Sequence, residues 1–248
     1  MLKVATFNVK NKSADKILRG RNAYMDGVLK NTELIFQSSP DIIGLQEVNK
    51  DEYYWLKKYF KGAYDIYGDF RGSIGISDEA CPIMIKKNKG KVIFSKTFYI
   101  SDDILKTKSK FKGSVFPRIA TYVNFSDNID NYGILNIHAS NLKNIQRKTF
   151  SENGPIEQML NLFYNDKQII MGDMNTDISG DLREFCIRNS FCDAALPLGN
   201  TYKPLNLALD HILYRDSDLS VDEVKTYKNT GSDHQLILAN MTRRKKIQ

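Results

Sequence analysis

The sequence predicts one mixed α/β domain, with antiparallel or mixed β-sheets that carry helices on their outer faces. Three observations carry this reading. Short apolar runs of strand character recur along the 248 residues, each bounded by turn signals. Helical periodicity is clear in only a few places. Several strand-like runs follow one another directly, whereas a doubly wound parallel fold wants a helix between most strands. Polar residues of chemical interest spread from position 8 to position 234, so one domain over residues 1–242 is the simpler count, with a basic tail at 243–248.

The strand-like runs fall at residues 3–9, 42–46, 83–86, 91–98, 119–125, 132–138, 168–172, 211–214 and 236–241. A helix is predicted over 24–36, where Tyr24, Val28, Leu29, Ile35 and Phe36 fall near one face. A second is predicted over 156–164, where Ile156, Met159, Leu160 and Phe163 follow i, i+3, i+4, i+7 and Pro155 sits at a first-turn position that tolerates it. A third covers 181–189. The segment 101–116 fits no element.

The composition is that of an ordinary globular chain, 42% hydrophobic and 26% charged. It excludes collagen, coiled coil and a disordered chain. The formal net charge of +7 suits a polyanionic partner. The richness in Lys, Asn and Ile fits a coding bias equally well, and charge alone does not separate nucleic acid from an anionic membrane surface. Cys81, Cys186 and Cys192 are odd in number and lack framework or metal-ligand spacing, so buried reduced thiols are expected. The N-terminus runs straight into a strand-like segment, and no run approaches the roughly 20 apolar residues that span a bilayer. A reducing, cytoplasmic setting is expected, with no stable membrane association and a monomeric state.

The informative pattern is where polar residues sit. Apolar strands end in Asn8, Glu47, His138 and Asp173, with Asn175 two positions on. Leu-Ala-Leu precedes Asp210, and Asp233-His234 precedes the last strand. A charged group at a strand end is cheap when solvated, so each alone reads as structural. Together, the carboxylates and amides supply hard oxygen ligands that suit Mg²⁺ or Mn²⁺. The two imidazoles beside them supply acid, base or donor chemistry.

Eight segments carry a resemblance to a known group. They are Thr-Phe-Asn8, Leu-Gln-Glu47-Val, Glu79-Ala-Cys-Pro-Ile, Pro-Arg118-Ile-Ala, Asn-Ile-His138, Gly-Asp173-Met-Asn175-Thr-Asp, Leu-Asp210-His-Ile-Leu and Gly-Ser-Asp233-His234. In this order and at these intervals the chain resembles the endonuclease/exonuclease/phosphatase superfamily, the fold of deoxyribonuclease I. The resemblance implies a four-layered α/β sandwich: two packed sheets flanked by helices, with the site at one edge. It also implies roles. Glu47 would be the main Mg²⁺ ligand (Mn²⁺ able to substitute), with Asn8 and Asp233 beside it and Asp173 holding metal or orienting water. Asn175 and Arg118 would touch phosphate, and His138 and His234 would face it. Glu79 would brace His138 and Asp210 would brace His234.

Other residues keep two readings each. Lys10 reaches a phosphate or is simply exposed. His211 alternates to the far face of its strand and is structural or substrate-proximal. Tyr53, Tyr54 and Trp55 are core packing or a base-stacking platform. The tail from Arg243 is solvated or adds phosphate affinity. Lys10 stands where the apurinic-endonuclease branch carries an acid or amide, and that branch lacks a histidine at His138; both argue against abasic-site repair. The function expected is metal-dependent phosphodiester hydrolysis on DNA or RNA, with nucleic acid as partner. The alternative is an enzyme on a small or lipid phosphoester, as in sphingomyelinases or inositol phosphatases. A non-catalytic binding module is the third.

Overall fold

The computed structural model describes residues 1–163, 165, 167–215, 217 and 219–244. Among them the chain forms fourteen strands and six α-helices. In order these are β1 (Leu2–Asn8), α1 (Ser13–Leu18), α2 (Gly20–Ser38), β2 (Ile42–Gln46), β3 (Val48–Asn49), α3 (Lys50–Tyr59), β4 (Tyr64–Tyr67), β5 (Glu79–Ala80), β6 (Ile83–Lys86) and β7 (Lys91–Tyr99). There follow β8 (Ile119–Ser126), β9 (Asn131–His138), α4 (Lys143–Phe150), α5 (Pro155–Asn161), β10 (Lys167–Asp173), α6 (Gly180–Arg188), β11 (Cys192–Asp193), β12 (Asp210–Tyr214), β13 (Leu219–Tyr227) and β14 (Leu236–Arg243). No helix among the described residues is long and apolar enough to cross a membrane.

Two six-stranded sheets dominate, ordered β13-β14-β1-β2-β6-β4 and β11-β12-β10-β9-β8-β7. Each holds one parallel pair, β1 with β2 and β9 with β10, among antiparallel neighbours. A parallel pair needs a crossover, and helices supply it: α1 and α2 in the first sheet, α4 and α5 in the second. One apolar cluster lies between the sheets, around Val4, Ile42, Ile134 and Met171. A second packs α4, α5 and α6 on the outer face of the second sheet. A third packs α2 and α3 on the outer face of the first. The architecture is the four-layered α/β sandwich expected. β2 is covered on both faces, Ile42 inward and Ile43 outward, which is why it reads as an unbroken apolar run rather than an alternation.

The differences have local causes. α2 buries Tyr24, Val28 and Ile35, but Phe36 is 65% exposed and Leu29 is exposed too; the inward face instead takes Asn31 and Ser38. α5 ends at Asn161, and Phe163 reaches the core from beyond it by stacking on Tyr122 with ring centroids 4.5 Å apart; Tyr164 lies outside the described residues. Cys192 is exposed, unlike Cys81 and Cys186. β14 takes in Arg243, which pairs with Asp127 and Asp130, while 245–248 lie outside the described residues.

Candidate active site

The two parallel pairs bring their carboxyl ends to one edge of the sandwich, the position where open α/β sheets place ligand sites. The register sets Asn8 opposite Gln46, and Asp173 opposite both His138 and Asp210. The two sheets are fastened just behind this edge. Asn136 accepts from Gln46 Nε2 at 2.6 Å and donates to the Leu45 and Pro82 carbonyls. Gly44 makes the approach possible, because a Cβ there would lie 2.6 Å from Asn136 Oδ1.

Three non-glycine residues at this edge take left-handed backbone: Lys10 (φ 60°), Glu47 (φ 60°) and Asn175 (φ 53°). Such backbone is costly for an L-residue and concentrates at functional sites. It turns Glu47 back over the ends of β1 and β10. Asn8 Nδ2 then donates to Glu47 Oε1 at 3.0 Å and to Asp173 Oδ2 at 2.9 Å, and the Asn11 backbone N–H donates to Glu47 Oε2 at 2.9 Å.

Glu47, His138 and Asp173 offer donor atoms all within 4.8 Å of one another, as do Asp173, Asp210 and His234. Burial and the neighbouring Asp210 push the Asp173 carboxyl up to about 7. Two carboxylates so close, held by neutral amides, are a charge that a divalent cation would balance, and hard oxygens are the donors Mg²⁺ and Mn²⁺ prefer. Glu47 and Asp173 are therefore the residues that fit a metal. Asn8 turns its amide nitrogen to both carboxylates and its oxygen to the Lys10 N–H, and so orients the pair. Asp233, also expected at the metal, falls in neither group and faces Lys10 Nζ at 3.6 Å.

The two histidines differ sharply. His234 Nδ1 donates to Asp210 Oδ2 at 2.8 Å, and Thr201 Oγ1 donates to the same oxygen at 2.7 Å. Burial opposes charge on His234, but Asp210, then Asp173 and Asp233, outweigh it and raise the ring to about 9. His138 has no such brace. Arg118 Nη1 lies 2.8 Å from its Nε2 and donates to the ring. Burial, then Arg118, Arg71 and His234, hold its pKa well below the usual value. The two rings are shifted in opposite directions, His234 toward its charged form and His138 toward its neutral form.

Glu79 does not brace His138. Its carboxylate is held by Arg71 Nη1 at 2.9 Å and by Asn11 Nδ2 at 2.9 Å. Arg71, buried and also bonded to the Ser77 carbonyl, went unnoticed in the sequence because nothing local marks it. Asn175 gives its side-chain amide to the Ala139 carbonyl at 3.1 Å. His211 is structural: its ring bridges Asp193 and the Thr176 carbonyl at 2.9 and 2.8 Å, tying down the loop after Asn175. Tyr202 is a further site neighbour, its ring 4.8 Å from that of His234; the segment between β11 and β12 bore no periodicity to announce it.

The model of the endonuclease/exonuclease/phosphatase family matches residues 5–234, an interval that contains every residue of this site. The chain belongs to that family. The endonuclease/exonuclease/phosphatase family members it resembles in structure include one from Bacteroides vulgatus, at TM-score 0.85 and 20% identity over 98% of this chain and 99% of that one. A second is the mannosyl-6-phosphatase Bt3783 of Bacteroides thetaiotaomicron, at 0.83 and 21% over 98% and 100%. A third is D. rerio TDP2 complexed with a single-strand DNA product, at 0.74 and 15% over 97% and 98%. No curated protein matches the chain in sequence. Membership makes this family protein a metal-dependent phosphoesterase.

Proposed function

We propose that the protein is a Mg²⁺-dependent phosphodiesterase that hydrolyses nucleic-acid strands, with Mn²⁺ able to substitute. The observation that carries the reading is a pair of surface clefts whose linings begin one or two residues from site residues, one with Lys143, Arg147, Thr176 and Asp177 next to Asn175, the other with Ser13, Lys50, Asp51 and Asp78 close to Asn11 and Glu79. A substrate that continues past the scissile phosphate suits two such clefts, and Lys143, Arg147 and Lys50 are the cations in them that would meet its phosphates.

Glu47 and Asp173 would hold the metal, which supplies Lewis-acid stabilisation of charge on the phosphate. His234, kept cationic by Asp210, donates to a non-bridging oxygen as negative charge builds there. Asp173 takes the proton of the attacking water as its oxygen bonds to phosphorus; the opposite P–O bond breaks in line, and the leaving oxygen takes a proton from solvent. Arg118 sets the His138 ring at the other side of the phosphate, and Asn175 and Lys10 line its approach. The protein acts as a monomer.

A second reading, hydrolysis of a small phosphomonoester, is favoured by the likeness to the mannosyl-6-phosphatase. Purified protein with Mg²⁺ or Mn²⁺ is to be offered plasmid DNA, single-stranded DNA, RNA, a generic diester and a generic monoester. Cleavage of the monoester alone rejects the nuclease reading. Wild-type turnover in Glu47→Ala or His234→Ala rejects the site.

A further inference from the structure

The aromatic run after Glu47 lines a cleft that the catalytic reading leaves unused. Along α3, Asp51, Tyr54, Trp55 and Lys58 recur at i, i+3, i+4, i+7 and share one face. Lys16, Arg21 and Tyr24 of α1 and α2 form the opposite wall. The cleft holds about 570 Å³, within the range of small-molecule sites. Its ring faces are fixed: Trp55 Nε1 donates to Thr32 Oγ1 at 3.0 Å, and the Tyr24 hydroxyl donates to Asn49 Oδ1 at 3.0 Å. Tyr54 is 56% exposed. Three cations line the cleft against the one carboxylate of Asp51.

A second cleft of about 310 Å³ adjoins this one, and Asp51 belongs to both. Two polar atoms of residues in its wall, Asn49 Nδ2 and Ser73 Oγ, are buried without a hydrogen-bond partner, and Asn49 is only 5% exposed. Orphaned polar groups of this kind call for a partner from outside the chain. Ser13 links this second cleft to the metal side. The Ser13 N–H donates to Asn11 Oδ1, and the Asn11 N–H donates to Glu47 Oε2.

We infer that the two adjoining clefts bind the nucleic-acid strand on one side of the scissile phosphate. The sugar–phosphate chain lies over the second cleft, and a base stacks on the rings of Tyr54 and Trp55 with Lys58 and Arg21 beside the phosphates. Aromatic faces next to cations are how single strands are held without reading their sequence. The α3 face from Asp51 to Lys58 offers about 10 Å of such surface. This inference rests on the nucleic-acid reading above.

Trp55 is the chain's one tryptophan and reports directly on the cleft. In EDTA, a short oligothymidylate should quench its emission in a saturable way. With Mg²⁺, Tyr54→Ala combined with Lys58→Ala should raise the KM for the same oligonucleotide about tenfold. Turnover of bis(p-nitrophenyl) phosphate should not change. Lys58→Glu, a surface change, carries the same expectation if the double variant fails to fold. If the wild type cleaves the oligonucleotide while the variants keep its KM and Trp55 emission never moves, the cleft is rejected and the nuclease reading stands. If the wild type cleaves only the small diester and emission is unmoved, both are rejected.

Discussion

Asp210 Oδ2 accepts the Nδ1–H of His234 at 2.8 Å, and this contact orients the ring and is the largest of the influences that raise its pKa. Nε2 is left pointing toward Asp173, 3.7 Å from its Oδ2. Asp210→Asn keeps the shape but removes the charge. Turnover of a generic diester at pH 7 should fall by about 100-fold or more. An unchanged kcat would show that the pair has no part in the reaction.

The same contact links stability to pH. The His234 ring is raised in the folded protein to about 9 from its ordinary value near 6.5. A group raised on folding contributes stability that is full below the unfolded pKa and lost as pH climbs through the folded one. In EDTA, the wild-type Tm should therefore fall between pH 7 and 10 by more than that of His234→Gln. Parallel profiles for the two proteins would contradict the raised ring.

Glu47 sits at φ 60°. Left-handed backbone disfavours any residue with a Cβ by roughly 1–2 kcal/mol. Both Glu47→Ala and Glu47→Gly should lose activity and any stabilisation by Mg²⁺, yet the glycine variant should be about 1 kcal/mol the more stable by urea denaturation. Equal stability would place the backbone elsewhere than the left-handed region.

Lys12 reaches inward beneath the β1 end, 2% exposed, and its ammonium donates to the Val9 and Lys10 carbonyls and pairs with the buried Glu52 at 3.6 Å. Burial lowers Lys12 and raises Glu52, and each charge offsets the shift of the other. Lys12→Met should destabilise by about 3 kcal/mol, because it strands a buried carboxylate. Lys12→Met with Glu52→Gln should cost less than the sum of the two single changes. Strict additivity in urea denaturation would mean the two groups do not interact.

Much of the fold was legible in the chain. Strands at 42–46 and 83–86 match β2 and β6, and the others expected shift by one or two residues, since apolar runs bounded by turn residues survive any tertiary context. α1, α3, α4, β4, β13 and the two-residue strands β3, β5 and β11 were missed. β13 exposes Asp222, Glu223 and Lys225, and α4 is mostly polar with Ile145 and Phe150 alone among its apolar residues buried, so neither shows a clear apolar period. The left-handed turns at Lys10, Glu47 and Asn175 had no glycine to mark them.

The site divides in the same way. That Asn8, Glu47, His138, Asp173, Asp210 and His234 end up at one edge followed from their places at strand ends and from the order of the motifs. Which groups touch did not. Glu79 went to Arg71 and Asn11, His138 to Arg118, and Asn8 to two carboxylates. A residue's chemistry and its place on a strand are local properties, and the sequence by itself determined them. Charge state and partner depend on burial and on neighbours far along the chain, 165 positions in the case of Asn8 and Asp173. Only the packing of the two sheets decided that one histidine is pushed toward its charged form and the other toward its neutral form.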